Sequence, residues 1–308
     1  MERLHMKNFR IGTRRSPLAL AQTHEVIREL ERHHPGMRKR IQIIPIQTTG
    51  DTIVDRSLTD IGGKSLFTKE IEGALLNSEI DLAVHSMKDM AADHPDGLIV
   101  PSMLEREDPR DALITRDGRL FNELPPGALF GTSSLRRRAF VLRKFPHLSA
   151  VSLRGNVLTR LQKIANGDID ATLLAVAGLK RLALLEKATF ILSLEDFIPA
   201  VGQGAISMQC REDDRDTLEL LSPLNHLFTF QAVTAERAFM RTLNGSCRTP
   251  LAGYASISGE TLFFKGMVSD SEGQKMRFIS HEGPLSCPEQ IGREAALLLK
   301  EIPCPALS

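Results

Sequence analysis

Apolar positions along this chain alternate between runs too short for a helix and stretches that repeat every three to four residues, so strands and amphipathic helices are expected in turn. Phe9 to Thr13 reads as a short strand. Ser16 then caps a helix whose first position is Pro17, with Leu18, Ala21, Ile27 and Leu30 as its apolar positions, and Pro35-Gly36 ends it. Gln42 to Gln47 reads as a second strand, followed by a loop from Thr48 to Gly63 rich in Thr, Asp and Gly that is expected to move. Phe67, Ile71, Ala74 and Leu75 stand at helical spacing, and Ile80 to Val84 forms a strand that delivers His85-Ser86-Met87-Lys88-Asp89.

The middle third repeats one unit three times: an apolar strand, a small polar turn and an amphipathic helix. Ala128 to Phe130 leads through Gly131-Thr132-Ser133-Ser134 into a helix beginning near Leu135. Val151 to Leu153 leads through Arg154-Gly155-Asn156 into a helix stopped by Asn166-Gly167, and Ala171 to Val176 leads through Ala177-Gly178 into Leu179-Lys180-Arg181-Leu182. This alternation favours parallel sheets with helices on both faces, and right-handed crossovers place every turn at one edge. After Pro199-Ala200-Val201-Gly202-Gln203-Gly204 the pattern changes. A helix carrying Val233, Ala235 and Phe239 ends at Asn244-Gly245, strands follow at Tyr254 to Ile257, Leu262 to Val268 and Lys275 to Ser280, and a closing helix lies near Glu289 to Lys300. This part reads as a smaller α+β unit.

A chain of 308 residues exceeds what one hydrophobic core organises, so two or three domains are expected. Hydrophobic residues at 42% and charged residues at 25% are globular values, and no segment is long and apolar enough to span a bilayer. Met1 to Arg10 has no apolar run of the secretory kind, so the cytoplasm is the expected compartment. Cys210, Cys247, Cys287 and Cys304 lie far apart with no paired spacing beside histidines, which argues against a metal site. A net charge of only +1 shows no basic surplus of the sort that marks a nucleic-acid binder.

Local charge is distributed differently. In open α/β sheets, ligands bind beyond the carboxyl ends of the strands, and those turns hold Arg14, Arg15, Arg136 to Arg138, Arg154, Arg160, Lys180 and Arg181. Guanidinium forks bind carboxylates bidentately, and the Thr132 to Ser134 turn adds hydroxyls and helix N-terminal N–H groups, so a small polyanion is the expected ligand. Any one of these arginines could equally be a solvated helix residue paired with a nearby acid. No phosphate-binding glycine motif is present, which makes a nucleotide the weaker expectation. Asp89 stands just past a strand, where a carboxylate could stabilise a developing cation or could simply cap a loop. His85 reads as a packed strand residue. Cys247 follows Asn244-Gly245 and precedes Pro250, a loop in which a thiol could be exposed and nucleophilic.

Eight blocks in register resemble the porphobilinogen deaminase family. They are Thr13-Arg14-Arg15-Ser16-Pro17-Leu18-Ala19, Gly62-Gly63-Lys64-Ser65-Leu66-Phe67, His85-Ser86-Met87-Lys88-Asp89, Arg106-Glu107-Asp108-Pro109-Arg110-Asp111-Ala112, Gly131-Thr132-Ser133-Ser134-Leu135-Arg136-Arg137, Leu153-Arg154-Gly155-Asn156-Val157, Ala177-Gly178-Leu179-Lys180-Arg181-Leu182 and Ala200-Val201-Gly202-Gln203-Gly204-Ala205. The resemblance runs from about residue 10 to 255. It implies two α/β domains like type II periplasmic binding proteins around a central cleft, plus a smaller α+β C-terminal domain. The expected boundaries are 8–104 with 204–222, 105–203, and 223–308.

The resemblance also implies a transferase that deaminates four porphobilinogen molecules and joins them into hydroxymethylbilane, in tetrapyrrole biosynthesis, on a dipyrromethane primer bound covalently to Cys247. By match, Asp89 is the catalytic carboxylate that stabilises positive charge as substrate loses ammonia. Ser86, Lys88, Thr132, Ser134, Arg136, Arg137, Arg154 and Gln203 match cofactor-binding positions, and Arg14, Ser16, Lys64, Arg160 and Arg181 match substrate-binding ones. A monomer without nucleic-acid or membrane partners is implied. Three departures stand out: Asp60 where the family commonly has lysine, Ser246 within its Gly-Gly-Cys triplet, and Ala91 in place of a proline. Two other readings share the fold: a non-catalytic cytosolic sensor of a carboxylated metabolite, and a paralogue that no longer assembles its primer. Cys247 together with Asp89 favours the enzyme.

Overall fold

The computed structural model describes residues 8–52, 67–246 and 249–302. The chain opens with β1 (Phe9–Arg14), α1 (Pro17–His33), β2 (Ile41–Ile46), the short α2 (Thr49–Thr52), α3 (Lys69–Leu76), β3 (Leu82–Ser86) and β4 (Leu98–Met103). It crosses to β5 (Asp111–Thr115), β6 (Leu129–Gly131), α4 (Leu135–Lys144), β7 (Ser149–Val151), α5 (Val157–Asn166), β8 (Ala171–Ala175), α6 (Val176–Arg181) and β9 (Phe190–Ile191). It then returns through β10 (Ile206–Arg211) and α7 (Arg215–Leu221). It finishes with α8 (Leu227–Thr242), β11 (Leu251–Ser258), β12 (Thr261–Val268), β13 (Arg277–Pro284) and α9 (Pro288–Glu301).

These strands form three sheets, ordered β2-β1-β3-β10-β4, β7-β6-β8-β5-β9 and β11-β12-β13. The expected fold class is therefore observed: two α/β sheets joined by two crossovers, and a smaller antiparallel sheet carrying two helices. The expectation of parallel sheets needs correction. β1 pairs in parallel with β2 and β3, and β6 with β7 and β8, but β10 runs antiparallel to β3 and β4, as β5 does to β8 and β9. The reason is topological: β5 and β10 are the strands on which the chain arrives from the other sheet, so each enters against the local direction.

Alternation along the strands accounts for the layers. Phe9, Ile11, Leu82 and Val84 face α1 and share a core with Val26, Ile27 and Leu30, while Ala83 faces the other way onto Ile71, Ala74 and Leu75 of α3. In the second sheet Leu173 joins Phe130 and Phe140 on one side, and Leu174 joins Ile164 and Leu179 on the other. The expected cap forms, with Ser16 Oγ accepting from the Ala19 N–H at 3.3 Å. Gly167 ends α5 in the left-handed conformation that glycine tolerates. The third sheet packs Leu262 and Phe264 on Phe239 of α8 and Leu299 of α9.

The second crossover is tight. Gly204 has φ +94°, and a Cβ there would collide with the Glu107 carbonyl of the first crossover. Gly204→Ala is therefore expected to lower the unfolding free energy by about 2 kcal/mol or more, read from a denaturant midpoint. An unchanged midpoint would show that the crossovers have room to separate.

Candidate active site

The carboxyl end of β3 passes into a single 3₁₀ turn, Met87–Asp89. Met87 is buried, its N–H donates to the Ala205 carbonyl at 3.0 Å, and Gly202 packs against its side chain. This clamp holds Lys88 and Asp89 half-buried at the strand end. Arg14, at the end of neighbouring β1, grips Asp51 at 2.5 and 3.3 Å, reaches Asp89 at 3.4 Å and lies 4.3 Å from the centre of the Phe67 ring. Burial opposes charge on Asp51, but hydrogen bonds from Arg14 and Thr48 outweigh it and hold the carboxyl below its ordinary range. Ser86 and the Gln22 amide exchange hydrogen bonds at 2.8 and 3.0 Å. Arg14, Ser16, Gln22, Phe67, Ser86 and Asp89 line one pocket.

The second sheet contributes cations. Thr132 Oγ1 accepts from the Ser134 N–H at 3.1 Å and Ser134 Oγ from the Arg137 N–H at 3.4 Å, so these two hydroxyls shape the start of α4. Arg136 and Arg137, both buried, each donate to one oxygen of Asp111, at 2.6 and 2.7 Å. Burial disfavours a charged Asp111, yet the two guanidiniums outweigh it and hold the carboxyl far below the ordinary range. Gln203 Nε2 also donates to Asp111, at 3.0 Å, while its Oε1 lies 3.5 Å from Lys88 Nζ. The Nε–H groups of Arg136 and Arg137 are buried with no hydrogen-bond partner among the described residues. An unmet buried donor costs about 1–3 kcal/mol.

Electrostatics joins the two halves. Burial pulls Lys88 down to about 8, with Arg137 adding to the shift and Asp89 and Asp111 opposing it. Burial also pulls Arg160 down to about 10, reinforced by Arg137 and Arg154 and opposed by Asp89. Asp89 and Lys88 from the first sheet thus share one field with Arg137, Arg154 and Arg160 from the second. Arg181 is placed differently: it is nearly buried and donates to Glu25 of α1 at 2.9 Å and to the Gly204 carbonyl at 3.1 Å, tying α6 to α1. Lys64, Cys247, Asp60 and Cys304 lie outside the described residues, as does most of the expected mobile loop.

The two departures that are described are accommodated. The Ala91 carbonyl accepts from Arg237 at 2.8 Å, which fixes the segment after Asp89 without proline. Ser246 has no left-handed φ, and its carbonyl and N–H bond the N–H and hydroxyl of Thr249 at 2.9 and 3.1 Å. His85 is the packed strand residue expected, bonded through Nε2 to Gln209 at 3.0 Å. Sequence reasoning gave no role to Asp111, Gln22, Phe67 or Asp51. The one available signal was Asp111 itself, a lone acid heading the otherwise uncharged strand Asp111–Thr115.

Fold and site together define a two-lobed α/β protein in which Asp89 and Lys88 of the first sheet share one electrostatic field with cations of the second. Residues 9–219 match the family model "Porphobilinogen deaminase, dipyromethane cofactor binding domain", and residues 230–301 match "Porphobilinogen deaminase, C-terminal domain". The chain is 50% identical to a porphobilinogen deaminase of Syntrophotalea carbinolica, over 94% of this chain and 91% of that protein. It is 48% identical to a chloroplastic porphobilinogen deaminase of Oryza sativa, over 95% and 83%. Among solved structures it is similar to the methionine binding protein MetQ, at 14% identity over 74% of this chain and 92% of that one, with a TM-score of 0.45. The chain belongs to the porphobilinogen deaminase family.

Burial pulls the His85 imidazole down to about 4. Its proton is then bound in the unfolded chain but not the folded one between about pH 6.5 and 4, so its contribution to stability falls as pH drops through that window. Histidine NMR should show two rings neutral down to about pH 4, those of His85 and His94, the latter pulled down by burial with Arg237 and Arg241 adding to the shift; titration of His85 near 6.5 would contradict its packing.

Proposed function

We propose that this chain deaminates porphobilinogen and joins four units into hydroxymethylbilane, as a hydroxymethylbilane synthase of tetrapyrrole biosynthesis using a dipyrromethane held through Cys247. The observation that carries this reading is Asp89, set in one field with cations drawn from two sheets, in a chain of this family. A pyrrole pair bearing acetate and propionate groups fits such a site. Its carboxylates match the cations in charge. When bound, this cofactor supplies the free pyrrole α-carbon to which the first substrate is joined.

Each addition breaks the C–N bond of the substrate's aminomethyl group, releases ammonia, forms a C–C bond to the preceding ring and returns that ring's α-proton to solvent. Asp89 accepts the pyrrole N–H and stabilises the positive charge that spreads onto that nitrogen as ammonia departs. Arg14 lies beside it at 3.4 Å and orients a substrate carboxylate together with Ser16, Lys64 and Arg160. Arg181 enters this set from the family resemblance alone; Glu25 and Gly204 take two of its five N–H groups. Ser86, Lys88, Thr132, Ser134, Arg136, Arg137, Arg154 and Gln203 hold the cofactor. The sheet memberships support domain boundaries of 8–104 with 204–222, 105–203 and 223–308. A monomer acting in the cytoplasm completes the reading, as the resemblance implies; among the described residues no helix is long and apolar enough to cross a membrane. Family membership disfavours the sensor alternative.

Intact-mass measurement of the purified protein should exceed the sequence mass by one dipyrromethane, and Cys247→Ala should lose that increment; a full adduct on the variant would move the attachment elsewhere. Asp89→Asn should keep the fold and the adduct but lower kcat by about 10²-fold or more, the scale of losing one stabilising group aimed at developing charge. Near-normal turnover would remove Asp89 from the chemistry. Because Lys88 loses its charge as pH rises through about 8, kcat/KM should fall on the alkaline side near that value. A profile flat to pH 10 would show that its ammonium holds no anion.

A further inference from the structure

We propose that Asp111, which has no role in the reading above, is the positioning residue for the anion-binding half of the cleft, one carboxylate orienting Arg136, Arg137 and Gln203 together. Every position of its strand, Asp111–Thr115, is buried, and a carboxylate there is tolerated only when fully paired. Its two oxygens divide the work. Oδ2 takes Arg136 at 2.6 Å, and Oδ1 takes Arg137 at 2.7 Å and Gln203 at 3.0 Å. A backbone carbonyl fixes a second donor of each guanidinium, Ile198 for Arg136 at 2.9 Å and Leu173 for Arg137 at 2.7 Å. With both ends pinned, each planar group has one orientation, and its Nε–H remains without a protein partner among the described residues. Gln203 extends the arrangement. Its amide nitrogen is held by Asp111 and the Pro109 carbonyl, at 3.0 and 2.6 Å, which turns its oxygen toward Lys88 Nζ at 3.5 Å.

Asp111 stands where the first crossover enters the second sheet, and Gln203 lies in the second crossover. A displacement of this one carboxylate is therefore passed to groups on both sides of the cleft. Its charge acts as well as its shape: Asp111 offsets the repulsion that Arg136 and Arg137 exert on Lys88.

The inference rests on the reading of Arg137 as a cleft ligand, and two variants of the full-length enzyme test it. Asp111→Glu keeps the charge but moves it by one methylene. It should raise KM for porphobilinogen about tenfold, the scale expected of a small misplacement of binding groups, without moving the alkaline limb of kcat/KM. Asp111→Asn removes the charge; it should raise KM and also shift that limb by about one unit toward acid, because Lys88 loses a stabilising anion. Variants that melt earlier but keep wild-type KM and the wild-type limb would reduce Asp111 to a purely structural residue and overturn the proposal. If the asparagine variant does not fold, the glutamate variant decides alone: raised KM supports positioning and unchanged KM refutes it. Arg137→Ala, measured alongside, separates the two readings. Wild-type kinetics and a full adduct in that variant would refute the cleft reading itself. A damaged Arg137→Ala beside unaffected Asp111 variants would refute only the positioning inference.

Discussion

The three sheets meet at one buried carboxylate. Glu236 of α8 is fully inaccessible and accepts four hydrogen bonds: from two Arg106 guanidinium nitrogens at 2.5 and 3.3 Å, from the Gly202 N–H at 2.7 Å and from the Ala255 N–H at 2.9 Å. Arg106 belongs to the first crossover, Gly202 to the second and Ala255 to the third sheet. The same arginine also donates to the Gln203 carbonyl at 2.8 Å and lies 5.1 Å from the centre of the Tyr254 ring. A buried ion pair adds little net stability over an apolar replacement, but breaking one by removing a partner costs about 3–5 kcal/mol. Its value here is geometric, since it fixes where the two crossovers lie relative to the helix that ends beside Ser246.

The side chains of the candidate site hang from that junction. Downstream of Arg106 the first crossover leads into Asp111, and next to Gly202 the second carries Gln203, so the groups that organise Arg136, Arg137 and Lys88 hang from the two connections Glu236 holds. The third sheet is fastened to both lobes. Arg237 donates to the Ala91 and Ala92 carbonyls just after Asp89, and Arg138 pairs with Glu272 at 2.9 Å. Exposed pairs of the latter sort are worth little individually. The bonds of Arg237 do more, because they join α8 to the segment just after Asp89.

The amino-acid pattern disclosed the elements whose burial is one-sided. β1, α1, α4 and α5 alternate or repeat cleanly, and the caps at Ser16 and Ser134 are written in the residues that form them. β4, β5 and β10 were not legible in that way. Pro101 interrupts β4, and β5 and β10 are buried on both faces, so they show neither alternation nor helical period. Since β5 and β10 are also the antiparallel strands, missing them produced the expectation of parallel sheets. At the site, charge clustering at strand ends disclosed the cations, but what each cation touches depends on long-range contacts. Arg181 illustrates this: it matches a ligand position, yet it bonds Glu25 and Gly204, separated from it by 156 and 23 residues. Asp111, by contrast, carried a signal that only its pairing explains.

The central claim is that Asp89 and the cations of the second sheet face one ligand from opposite sides. A crystal structure of the enzyme carrying its dipyrromethane tests this most directly. The account predicts pyrrole nitrogens within hydrogen-bond reach of Asp89 and ring carboxylates on Arg137 and Lys88. A pyrrole pair resting elsewhere, with those side chains still bonded only to protein, would contradict it.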